Sequence, residues 1–125
     1  TAIEAVEQMK NDEKVQAYEA WNKSINKFTN SKSYQKKGCP RAAFIGLCEE
    51  GYVKGIKESQ TKKYKSCKNK RYATEAANFL LLEKPQNISK AHLWMQVKEP
   101  KPKNDNGQMD VVLALWKKGY LCKLN

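Results

Sequence analysis

Residues Phe44-Ile45-Gly46-Leu47-Cys48-Glu49-Glu50-Gly51-Tyr52-Val53 return from residue 112 as Val112-Leu113-Ala114-Leu115-Trp116-Lys117-Lys118-Gly119-Tyr120-Leu121. Position by position, without gaps, two apolar residues are followed by a small one, Leu, another apolar residue, two charges, Gly, Tyr and an aliphatic residue. The first copy extends back through Gly38-Cys39-Pro40-Arg41-Ala42-Ala43, where Pro suits the start of a helix and Gly51 its end. Ala42 to Cys48 is apolar on every side, so this helix, 38–50, belongs in an interior. The second copy is rich in Val and, taken alone, reads equally as a short buried strand. Its correspondence with the first copy favours a helix over 108–118.

Outward from these stretches the periodicity is helical. Ile3, Val6 and Met9 mark one amphipathic helix, and Val15, Tyr18, Trp21 and Ile25 a second, with Asn11-Asp12 as the break between them. Tyr72, Ala76, Phe79 and Leu80 mark a helix stopping near Pro85, and Ser89 caps another that carries His92, Leu93 and Trp94. Asn104, Asp105 and Asn106 offer capping oxygens to the last. Weaker matches, Ala2–Val6 with Ala73–Ala77 and Val15–Trp21 with Ile88–Trp94, keep the same order. The expected architecture is a single all-α domain of about six helices. It comprises two related three-helix halves, 1–56 and 71–125, joined by a basic connector over 57–70, with pseudo-two-fold symmetry. Helices 38–50 and 108–118 are central, because a three-helix unit with one all-apolar helix cannot bury it alone. Gly46 and Ala114 then become the point of close backbone approach, and Trp21 and Trp94 the matching core aromatics.

The chain of 125 residues suits one domain. Hydrophobic residues make up 40% of it, too many for disorder, and no apolar run is long enough for a membrane span. The mixed-charge stretch Thr1–Lys10 lacks the pattern of a signal peptide, pointing to a cytoplasmic protein with no membrane partner. Net charge is +11, and residues 31–71 hold twelve basic against three acidic side chains. Lys36, Lys37, Lys62, Lys63, Lys65, Lys68, Lys70 and Arg71, with Tyr64 interleaved, are the candidate binding residues for an acidic partner, either nucleic acid or an acidic protein. Lys outnumbers Arg 22 to 2, which favours phosphate attraction over base readout, since Lys is a hydrated point charge without the planar fork of Arg. A solvated connector would have the same composition.

Gly38 to Gly51, Val53-Lys54-Gly55-Ile56, Asn69-Lys70-Arg71-Tyr72-Ala73 and Gln108 to Trp116 together resemble a family of small uncharacterised bacterial proteins, some of them encoded on integron-type mobile gene cassettes. The resemblance covers about residues 1–121 and implies a small helical bacterial protein. It supplies no activity and no site residue.

Catalytic chemistry has few candidates. Cys39, Cys48, Cys67 and Cys122 form no CxxC pair and meet one His, so no zinc spacing exists, and no motif calls for a cofactor. Cys39, at a helix start near Lys36, Lys37 and Arg41, is the alternative to a binding function: a thiolate there would be stabilised by the helix dipole and local charge, suiting a thiol-dependent enzyme or redox sensor. With no base evident nearby, an ordinary small N-cap residue before Pro40 is the simpler reading of that position. His92 is a possible base, and more simply a packed or exposed helical His. Glu49-Glu50 and Lys117-Lys118, at matching helix ends, suit ion pairs that orient the halves.

Overall fold

A computed structural model describes residues 2–12, 16–28, 38–57 and 67–122. It is all-helical, with six helices among the described residues: α1 Ala2–Asn11, α2 Ala17–Phe28, α3 Gly38–Glu49, α4 Lys68–Glu83, α5 Lys90–Met95 and α6 Gln108–Lys117. None is long and apolar enough to cross a membrane.

The two all-apolar helices lie in the middle. α3 packs most extensively on α4, then on α6 and α2, while α6 also meets α1, α4 and α5. Phe44, Leu47, Val112 and Leu115 are fully buried between them, each side chain contributing about 1.5–3 kcal/mol of transfer free energy. Trp21 is buried against Phe44, ring centroids 5.4 Å apart, and Trp94 against Tyr72, edge-on at 5.2 Å. The Val-rich stretch 111–116 is helical, with Met109, Val111, Val112, Leu113 and Leu115 buried. A lone strand would have had no ladder to satisfy its backbone groups, whereas a helix satisfies its own.

Helix starts and ends follow local chemistry. The Ser89 hydroxyl accepts from the His92 N–H at the start of α5. Asp105 Oδ1 accepts from the N–H groups of Gly107 and Met109 as α6 begins. At the ends of α3 and α6, Gly51 and Gly119 both take φ 78, and the next N–H reaches back over the last turn: Tyr52 to the Leu47 carbonyl at 3.0 Å, Tyr120 to that of Leu115 at 2.9 Å. The two exits then pair with each other. Val53 and Leu121 form an antiparallel bridge in which the Lys54 N–H donates to the Tyr120 carbonyl and the Cys122 N–H to that of Tyr52, both at 2.7 Å.

The close approach at Gly46 has a different partner from the expected Ala114. A Cβ placed on Gly46 would lie 2.5 Å from Lys70 Cγ, 2.7 Å from Lys70 Cβ and 3.1 Å from Lys70 Cα. Gly46 is therefore where the first turn of α4 crosses α3. Of the connector expected over 57–70, residues 58–66 lie outside the described residues, and 68–70 are already helical.

Candidate functional site

Lys70, in the first turn of α4, lays its stem across Gly46 and its ammonium inside the fold, 3.3 Å from Glu49 Oε1 and 3.1 Å from Glu50 Oε1. Its side chain is 7% exposed, so this cation, a candidate for the surface, is spent on orienting α4 against the end of α3. The glutamates, expected to meet Lys117-Lys118, are met here by Lys70.

Arg71, one residue on, faces outward and is also occupied. Its guanidinium bonds Glu75 at 2.6 Å and donates to the carbonyls of Lys98, at 3.2 Å, and Pro100, at 2.5 Å. Glu75 in turn accepts from the Lys98 N–H at 2.8 Å. These bonds lay the Pro-rich loop 98–103 along α4. Trp94 holds its far side, its indole N–H shared between the carbonyls of Pro102 and Lys103, both at 3.2 Å. Lys101 turns inward over the Trp94 ring and donates to the carbonyls of Trp94 and Val97, closing the end of α5. A loop that composition presents as solvated is thus held by side-chain bonds to its own backbone.

What remains outward is Lys68, Lys98 and Lys103, all exposed. Lys68 lies one turn before Arg71 on the same side of α4, and the loop carrying Lys98 is held to that helix at Arg71 and Glu75. The start of α4 and the loop before α6, two segments far apart in sequence but joined through Arg71, both carry exposed lysines and outline a basic edge. Lys36, Lys37, Lys62, Lys63, Tyr64 and Lys65 lie outside the described residues. Sequence reasoning marked the loop as basic but missed Glu75, Trp94 and Lys101 as what holds it; the only signal was a Trp close in sequence to a Pro-rich stretch.

The thiols are dispersed. Cys39 sits half-buried in the first turn of α3, and Cys67 half-buried at the N-cap of α4. Among the described residues, no three His, Cys, Asp or Glu side chains gather as a metal site would need. Cys48 is fully buried, and desolvation, with the Glu49 charge behind it, pushes its thiol far above the usual range. Burial pushes Cys122 up as well, with Lys54 pulling the other way. At pH 8 a thiol reagent added to native protein is expected to label Cys39 and Cys67 while Cys48 stays unmodified until denaturant is added; peptide mapping by mass reads this directly, and early labelling of Cys48 would contradict its burial. His92, exposed on α5, lines a cleft whose wall does not include Cys39, so no thiol–imidazole pair forms there.

Searches among curated proteins and among solved structures return no match. The model of one family covers residues 1–122, and the chain therefore belongs to DUF6979, a family of unknown function.

Proposed function

We propose that the protein is a non-enzymatic binding module that holds an acidic partner through lysines, with nucleic acid, bound without sequence specificity, as the first candidate and an acidic protein surface as the other. The observation carrying this reading is the basic edge of Lys68, Lys98 and Lys103, whose two loop members are held through the loop backbone by Arg71 and Trp94. A pinned loop loses little conformational entropy on binding, so its charges act at fixed positions. Lys36, Lys37, Lys62, Lys63 and Lys65, with Tyr64 as a stacking ring, are proposed as further contacts to the partner, while Arg71 holds the loop and Lys70 orients α4. In this reading, which rests on the resemblance to bacterial cassette-encoded proteins, such a module would work in a bacterial cytoplasm.

A mobility-shift titration with short single- and double-stranded DNA and RNA tests this. Binding at 50 mM salt is expected to weaken about 40-fold by 200 mM if three phosphates are neutralised, from a slope near −0.9 per phosphate. Replacing Lys68, Lys98 and Lys103 together by Glu is expected to abolish the low-salt shift. Loss of the shift for nucleic acid, with retention of polyglutamate by the native chain, would identify an acidic protein as the partner class. Binding of neither probe would overturn the reading.

A further inference from the structure

A concave surface that shares no residue with the basic edge lies between the 85–89 turn, α5 and the last turns of α6. It is a cleft of about 580 Å³, within the range that encloses small ligands. Pro85, Ile88, Leu113 and Trp116 supply its apolar wall. The polar groups converge from three segments: Gln86 and Asn87 from the turn, Ser89 and His92 from the start of α5, and Lys117 from α6. No Asp or Glu lines it, and Asp110, further back on α6, is engaged by Lys90 at 3.3 Å.

We propose that this cleft binds a small planar aromatic anion of the mononucleotide class, its ring stacked on Trp116 and its anionic group held between Lys117 and His92. Trp116 is half-buried and packs against the core, so it presents a fixed plate for stacking at little entropic cost. Base–aromatic stacking is worth about 1–3 kcal/mol per base, and that term sets the ring preference. Lys117 adds a point charge suited to phosphate, and an acid-free wall leaves nothing to repel the anion. The Ser89 hydroxyl, which accepts the His92 N–H at 3.1 Å, keeps its own proton to donate. The ligand meets converging groups, rather than a lone charge.

The site carries its own reporter. Trp21 and Trp94 are buried at 3% and 6% exposure, so a ligand that quenches tryptophan fluorescence from solution acts through Trp116. Adenosine 5′-monophosphate, adenosine and ribose 5-phosphate are titrated into the full chain at physiological salt, read by fluorescence and calorimetry. The monophosphate is expected to bind at least about tenfold more tightly than either fragment, a difference of one full stacking or charge contact. Lys117→Glu is expected to weaken it about tenfold while leaving adenosine unaffected, and Trp116→Leu to remove binding of both. Lys117 is exposed, so its variant folds even if the Trp116 variant does not. Equal binding of ribose 5-phosphate, indifference to Lys117→Glu, or no binding of the monophosphate would each overturn the proposal. The variant lacking Lys68, Lys98 and Lys103 is expected to bind the monophosphate normally, which keeps this outcome separate from that of the basic edge.

Discussion

Gly46→Ala is expected to destabilise the protein by about 2 kcal/mol, lowering the urea midpoint without changing the slope of the transition. The sign is what makes this informative. In an unobstructed helix the same change stabilises by about 1 kcal/mol, because Gly carries the larger backbone entropy cost. Here the new methyl would lie 2.7 Å from Lys70 Cβ and 3.1 Å from its Cα, so α4 must move off α3 along a packed interface. The Lys70 Cγ contact at 2.5 Å could be relieved by rotating a side chain; the other two could not. Adding Lys70→Ala to Gly46→Ala is accordingly expected to bring no rescue, since Ala keeps the offending Cβ. A raised midpoint for Gly46→Ala would show that the helices do not touch at this point.

The second large effect concerns the same crossing through its charge. Lys70→Met keeps most of the stem's volume but removes the ammonium that meets both Glu49 and Glu50. Glu49, with its side chain 9% exposed, then loses a charged partner in a low-dielectric site, and a loss of about 1–3 kcal/mol is expected. Glu49→Gln in the Lys70→Met background is expected to recover part of it, because an amide costs less to bury than a carboxylate. A double-mutant cycle by chemical denaturation should return a coupling of at least about 1 kcal/mol between positions 49 and 70. Simple additivity would mean that the ion pair does not couple α3 to α4.

These two residues also show where sequence reading stops. That Gly46 needs a close neighbour was legible, because Gly in the middle of an apolar helix is costly unless something approaches it. Which neighbour was not. Ala114, small and at the matching position of the repeated stretch, was the natural choice, whereas Lys70 reads as one more member of a solvated basic run. A long side chain can bury its stem and head when two carboxylates wait for it, and nothing in the spacing of Lys68, Lys70 and Arg71 tells which of them turns inward. The ends of α3 and α6 were far more readable, since a Gly followed by an aromatic residue after an apolar run specifies its cap locally. The helical state of 111–116 came from the match with 44–48, not from its own Val-rich composition. The basic edge was half visible: the lysines of 98–103 stand in the sequence, but their attachment to α4 depends on Arg71 and Glu75 from another helix. The cleft had no sequence signal, because Trp116 and His92 are brought together only by the packing of α5 on α6.

The bridge between Val53 and Leu121 has a kinetic meaning. Helical bundles usually fold fast because their contacts are local. In this chain the two helix exits are held by a reciprocal pair of hydrogen bonds between segments on either side of α4 and α5. That pairing can close only after the intervening chain has been gathered in, and the entropy of doing so must be met before the contact returns anything. The bridge is therefore expected to form late, a latch that secures α6 once α3 and α4 have set its surface, so that weakening it should speed unfolding more than it slows refolding.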